Sequence, residues 1–177
     1  MIRLTTLDIY NELKLLIDLQ NFRYDIYTNQ NFVEFQDCHF IADSKYIVKH
    51  NKIIYDKDWY IKYYDPILTI QQFNENVWKL REDKYSRRAI LYMGDKVENS
   101  ICTISMQMLI DNFGRLNWIV NMRSNNVIKY TTDFEWQDGL FNKACKMLNV
   151  NKGIMYWNAG SMHVYEEDFD LFKNIIV

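Results

Sequence analysis

The chain has 177 residues, 49% of them hydrophobic and 16% aromatic, with a formal net charge of −2 and only 5 Gly and 1 Pro. That length fits one domain, residues 1–177, with a substantial core, and the charge excludes a general affinity for nucleic acid. Three scattered cysteines, Cys38, Cys102 and Cys145, argue against a disulfide framework and against a Cys-rich zinc site, so no metal is expected. No run is long and apolar enough to cross a membrane, and no signal-peptide pattern, linker or internal repeat is present. The expectation is a cytoplasmic protein.

In chain order, residues 5–20 read as a helix: Thr5 or Thr6 caps it, and Ile9, Leu13, Leu16 and Ile17 form one stripe. From Asn31 to Lys49, short apolar runs between polar residues suggest two strands. Residues 68–83 are helical in pattern, with Ile70, Phe73, Val77 and Leu80 on one side and Pro66 just ahead of the start. Arg88–Met93 reads as a strand. A second long helix is expected from about Asp133 to Leu148, burying Phe134, Phe141, Ala144, Cys145 and Leu148, then a strand at Gly153–Trp157 and a helical tail from Glu166. The whole reads as α+β, with helices against one face of a mixed or antiparallel sheet.

The most informative stretch is Ser100–Asn126, a β-hairpin turned by Asp111-Asn112-Phe113-Gly114-Arg115, where the Gly supplies positive φ. Strict alternation places Cys102, Ile104, Met106, Met108 and Ile110 on one face of the first strand, with Thr103, Ser105 and Gln107 on the other. In the second strand Asn117, Ile119, Asn121 and Arg123 share a face. Two Asn and an Arg are not an ordinary core face, because buried polar groups need partners; a polar ligand is one source of them.

The runs I-C-T-I-S-M-Q, G-R-L and V-N-M-R-S-N-N resemble the catalytic-cysteine and phosphate-binding strands of the thymidylate synthase family, which includes the deoxycytidylate hydroxymethylases. Ser86-Arg87-Arg88-Ala89-Ile90-Leu91 upstream is similar to the family's S-R-R segment, and Gly160-Ser161-Met162-His163-Val164-Tyr165 downstream to its G-x-x-H-x-Y segment. The resemblance runs from about Ile70 to Asp170 and implies the family's fold. The chain departs from the family pattern at Ile101, where Pro is usual, and at Asn126, where Asp is usual.

The resemblance implies a role for each of these residues, and the residues themselves leave an alternative beside each. Cys102 would be a nucleophile whose thiolate adds to C6 of a pyrimidine ring; a free cysteine in a strand is otherwise a small buried hydrophobe. Arg123 and Ser124 would cradle the nucleotide phosphate, or Arg123 would pair with a surface carboxylate. Arg87 and Arg88 would reach a partner subunit's phosphate across a homodimer with composite sites, or form a solvated basic edge. His163 and Tyr165 would hold the sugar 3′-hydroxyl, or be satisfied by backbone groups. Asp133, with Asn126 and Gln107, is the candidate base reader; a carboxylate accepts from the cytosine N4 amine and repels uracil O4, while the alternative makes Asp133 a helix N-cap. Asp56, in Tyr55-Asp56-Lys57-Asp58-Trp59-Tyr60, stands for the family's proton-carrying Glu, or is a solvated charge. The early phosphate arginine has no clear counterpart, Arg23 being a weak substitute, and the long C-terminal region that closes over folate is expected to be absent or reduced.

Two classes of function follow. One is an enzyme using 5,10-methylenetetrahydrofolate to hydroxymethylate or methylate C5 of a pyrimidine deoxynucleoside monophosphate; Asp133 tips this toward dCMP hydroxymethylation over thymidylate synthesis on dUMP. The other is a catalytically inactive nucleotide-binding or scaffolding homodimer of the same fold.

Overall fold

The computed structural model describes residues 4–42, 70–93 and 102–174. After β1 (Leu4–Thr5), helix α1 (Thr6–Asp18) starts in a reciprocal capping box: Thr5 Oγ1 accepts from Asp8 N at 3.3 Å, and Asp8 Oδ2 accepts from Thr5 N at 2.7 Å. Ile9, Leu13 and Ile17 of the predicted stripe are buried, joined by Tyr10.

Strands β2 (Arg23–Asp25) and β3 (Gln30–Ile41) form a hairpin. The described part of the region expected to hold two strands is this one long strand, residues 43–49 lying outside the described residues. The polar Gln36 and Asp37 are exposed strand positions, and left-handed Asp37 (φ 55°) puts Cys38 and Phe40 into the core after Val33.

Helix α2 (Ile70–Glu82) buries Phe73, Val77 and Leu80 as the spacing predicts, but Ile70 stands at its first turn, 72% exposed. Strands β4 (Ile90–Tyr92), β5 (Thr103–Ile110) and β6 (Arg115–Met122) follow, so the strand expected over Arg88–Met93 begins only after both arginines. In the β5–β6 loop Asp111 Oδ1 accepts from Phe113 N and Arg115 N, both at 2.9 Å, and Gly114 takes φ +76°.

The short β7 (Asn125–Asn126) leads into α3 (Val127–Leu148). This helix begins six residues ahead of the expected Asp133, because Asn126 Oδ1 accepts from Ile128 N at 2.9 Å and caps it. Asp133 is therefore no N-cap. Strand β8 (Asn151–Tyr165) is far longer than expected, and a 3₁₀ turn (Glu166–Asp168) and α4 (Phe169–Lys173) bear out a helical tail.

Among the described residues the sheet has eight strands, in the order β1-β3-β8-β6-β5-β4, with β2 beside β3 and β7 beside β8. It is mixed: β6 and β7 run parallel to β8, β3 antiparallel to it. The parallel β6–β8 pair needs a crossover, which α3 supplies.

The helices pack on the face that carries Leu116, Trp118, Val120, Met155 and Trp157. Trp118 stacks on Phe141 with centroids 5.8 Å apart, and Tyr130 meets Trp157 edge-on at 5.0 Å. On the other face the predicted polar row of β6 is observed, but protein groups partner it. Asn121 Nδ2 donates to Ser105 Oγ (3.1 Å), Asn158 Nδ2 to Asn121 Oδ1 (2.9 Å), and Asn117 Oδ1 accepts from Ile154 N (2.8 Å). His39 continues the row, its ring nitrogens 3.0 Å from Asn158 Oδ1 and 2.8 Å from Asp37 Oδ1. The Asn158 and Asp37 oxygens raise the His39 pKa above its ordinary value.

Trp118 Nε1 donates to Gln137 Oε1 at 2.9 Å in the fully buried core. Gln137→Met keeps the volume but strands that N–H, so urea denaturation should show a loss of about 1–3 kcal/mol.

Candidate functional site

The predicted alternation of β5 breaks at a register shift between Thr103 and Ser105. Thr103 turns into the core at 1% exposure and Ile104 outward at 52%, before Met106 returns to the core. Thr103, and not Cys102, therefore shares the buried side with Met106 and Met108, which corrects the face drawn from strict period two. Cys102 is half-buried, with its Sγ 4.0 Å from Ser124 Oγ, and its carbonyl accepts from Arg123 N at 2.9 Å. The other two thiols are buried: Cys38 is pushed up to about 12 by burial, and burial also raises Cys145. Cys102 is the cysteine of the three that keeps solvent exposure.

Strand β8 carries the rest of the cluster. An ideal Cβ on Gly160 would sit 2.7 Å from the Arg123 carbonyl oxygen, so only glycine lets β8 close on the end of β6. Just past it, Asn125 and Asn126 pair with Met162 and His163. The His163 and Tyr165 rings lie edge-on, 5.1 Å apart, and Phe32 contacts both. Burial pushes His163 down to about 4, with Glu34 and Asp25 acting upward on it and Lys129 and Arg123 downward. Tyr165 is held above its ordinary value, first by burial and then by its bond to Asp25; the Cys102 charge acts on it as well. Cys102, Ser124, Arg123, His163 and Tyr165 thus form one cluster at the β5 start, the β6 end and the β8 end.

Other candidates fall elsewhere. Asp133 is buried on the sheet side of α3, where its Oδ2 accepts from Asn125 Nδ2 at 2.5 Å, two residues beyond Arg123. Asn126 has its side-chain oxygen committed to the α3 cap. Gln107 is not brought to the cluster: its Nε2 donates to the Arg87 carbonyl at 2.9 Å, five residues from Cys102, roughly 16 Å along a strand. Arg87 and Arg88 are exposed at that same distant end, ahead of β4. Both precede the strand, which begins only at Ile90. Arg23 is paired with Glu34 across the β2–β3 hairpin. Asp56 lies outside the described residues.

Three contributors were missed from sequence. Asp25 accepts from the Tyr165 hydroxyl at 3.1 Å, Glu34 stands opposite His163 in the β3–β8 register, and Asn125 holds Asp133. Glu34 had a signal in the V-E-F alternation opposite the H-V-Y run; Asp25, 140 residues from its partner, had none.

The unfolded chain takes up the His163 proton near 6.5, and the folded chain only near 4. The contribution of this residue is therefore complete above pH 6.5 and is lost as pH falls toward 4. Urea midpoints should fall across that window, and His163→Gln should flatten that part of the slope.

No protein-family model matches the chain. Over 118 aligned residues it is 31% identical to the deoxycytidylate 5-hydroxymethyltransferases of the Enterobacteria phages T4, T2 and T6, with 56% of this chain and 48% of each relative covered. The chain thus spans about half the length of these curated relatives. In structure it is similar to thermostable thymidylate synthase A from Bacillus subtilis, with a TM-score of 0.66 over 82% of this chain and 71% of that one at 14% identity. The chain has the thymidylate synthase-like fold, and the α+β expectation holds.

Proposed function

We propose that this chain transfers a one-carbon unit to C5 of a pyrimidine deoxynucleoside monophosphate, with dCMP hydroxymethylation as the specific reaction. The observation that carries the reading is the convergence of Cys102, Ser124, Arg123, His163 and Tyr165 at one end of the sheet. The similarity to phage deoxycytidylate 5-hydroxymethyltransferases supports it.

In this reading the nucleotide phosphate is held by Arg123 and Ser124, which fixes the ring over Cys102. The thiolate adds to C6, and the electron pair displaced from the C5–C6 bond makes C5 the nucleophile toward the one-carbon donor; loss of the C5 proton expels the thiolate and restores the ring, and water added to the exocyclic carbon gives the hydroxymethyl group. Arg123 supplies positive charge beside both the thiolate and the phosphate. His163 is neutral at pH 7 and hydrogen-bonds without adding charge. Asp133 is buried against the Asn125 amide and is not among the converging residues, so the preference for dCMP rests on the similarity to the phage enzymes.

5,10-Methylenetetrahydrofolate is the one-carbon source in this scheme. Among the described residues, Asn125 and Asn126 do not supply polar partners for a pterin. Asn126 Oδ1 caps α3, and the unpartnered Asn125 Oδ1 is enclosed in the core. No step is therefore routed through the folate.

The active unit in this reading is a homodimer. Arg87 and Arg88 are exposed, and they sit at the end of β5 away from their own Cys102. A second copy is the route by which they meet a phosphate. No helix among the described residues is long and apolar enough to cross a membrane. The second reading, a nucleotide-binding scaffold without turnover, is favoured by the pairing of Arg23 with Glu34, which leaves Arg23 engaged away from a phosphate.

Tritium release from [5-³H]dCMP and [5-³H]dUMP, each with methylenetetrahydrofolate, separates these readings. Release from dCMP is expected and is lost in Cys102→Ala. Release from dUMP alone moves the assignment to thymidylate synthesis; no release from either, by a folded protein that binds nucleotide, leaves the scaffold.

Composite sites make a second prediction. Cys102→Ala and the double variant Arg87→Ala/Arg88→Ala should each be inactive alone. Mixed and re-equilibrated, they should recover about a quarter of wild-type release, because half the dimers are mixed and each of those carries one intact site. No recovery between subunits that exchange would place both arginines outside the site.

A further inference from the structure

The Tyr165 hydroxyl does not face the cluster as an uncommitted group. Its proton is engaged with Asp25 Oδ2 at 3.1 Å, and Asp25 is itself fixed by Tyr27 N donating to Oδ1 at 2.9 Å. The Thr28 side chain lies beside both. Among the described residues no cation pairs with Asp25, whose carboxyl is held below its ordinary value first by the Tyr27 amide. Glu34, the other carboxylate near His163, is compensated by Arg23 and by Gln36 Nε2 at 2.9 Å. The positive groups acting on His163, Lys129 and Arg123, belong to the α3 and β6 side, away from the hairpin that carries Asp25.

With its proton committed to a carboxylate, a phenol offers other groups only its oxygen lone pairs. A ligand atom between Tyr165 and His163 must therefore donate to the phenol oxygen. A free hydroxyl does so, and accepts a bond from an imidazole N–H with its own lone pair. A phosphate ester at the same position has no proton to donate at neutral pH and sets negative charge against Asp25.

We propose that Asp25, acting through Tyr165 and by its own charge, makes this end of the site selective for a free sugar hydroxyl, so that the chain takes mononucleotides and rejects nucleotides bearing a 3′-phosphate or a 3′-phosphodiester. The inference rests on the proposed function, because it takes the sugar to lie at His163 and Tyr165. It makes Asp25 a specificity-determining residue that need not touch the reacting ring.

Calorimetry on the full chain tests this with dCMP and dUMP and with the corresponding 2′-deoxynucleoside 3′,5′-bisphosphates, for wild type, Asp25→Asn and Tyr165→Phe. In whichever base series binds, the wild type should bind the bisphosphate at least about tenfold more weakly than the monophosphate. Asp25→Asn keeps an acceptor for the phenol and removes the charge; it should narrow that ratio at least about fivefold, mainly by tightening the bisphosphate. Tyr165→Phe should weaken the monophosphate and leave the bisphosphate little changed. Thermal melts identify any variant that fails to fold, and the wild-type ratio still decides in that case. Equal wild-type affinity for both ligands, or a ratio unmoved in folded Asp25→Asn, overturns the inference while leaving the proposed function standing. Binding of neither monophosphate by the wild type overturns the proposed function, and this inference with it.

Discussion

Three backbones meet at one point, and the site depends on that meeting. Arg123 N donates to the Cys102 carbonyl, tying the end of β6 to the start of β5, while the Arg123 carbonyl lies where a side chain on residue 160 would stand. Glycine at that position lets β8 run alongside both, and β8 then pairs with Asn125 and Asn126 before α3 begins. The close approach thus sets two things together: the position of His163 and Tyr165 relative to Cys102, and the residue from which α3 is launched. Asp133 comes to the sheet side because the helix starts at Val127, two turns ahead of it.

Charge around this point is divided. Arg123 lies at the end of β6 and Lys129 in the first turn of α3, while Asp25 and Glu34 belong to the β2–β3 hairpin across β8. His163 feels both sets and is kept neutral by burial. Such a field orients a ligand with one anionic end and one neutral, hydrogen-bonding end. The fold separates these charges by drawing the two sides from segments far apart in sequence, so neither side can neutralise the other within one element.

Much of this was legible in the sequence where a local rule governs. A threonine cap at the start of α1, the α2 stripe through Phe73, Val77 and Leu80, and the Asp111–Arg115 loop follow from spacing and turn chemistry, and the structure has them, with Thr5 as the cap. The polar row Asn117, Asn121 was legible as a row, but its partners were not; Asn158 and Ser105 come from neighbouring strands. Period-two reasoning failed at an irregularity: the register shift at Thr103–Ser105 reverses which side chain points inward, as left-handed Asp37 does in β3. The register shift adjoins Cys102, so the strand geometry that sets its sulfur beside Ser124 is the same geometry that hid its facing from a sequence reading. The contact of Asp25 with Tyr165 had no local signature at all, since only the pairing of β2 with β3, and of β3 with β8, brings them together.

The distribution of arginines carries the last step. Among the described residues Arg123 is the arginine that the fold itself delivers to the cysteine end of the sheet. Arg23 is turned to Glu34, Arg81 donates to the Met147 carbonyl at 2.5 Å, and Arg115 is paired with Asp111 at 2.8 Å. Arg87 and Arg88 are exposed, yet the antiparallel pairing of β4 with β5 fixes them at the Gln107 end, opposite Cys102. A rotamer change cannot close that separation, since it is set by the length of a paired strand, several times the reach of a side chain. If both arginines serve a phosphate beside a cysteine, that cysteine belongs to another copy of the chain, and the single chain is then half of a site.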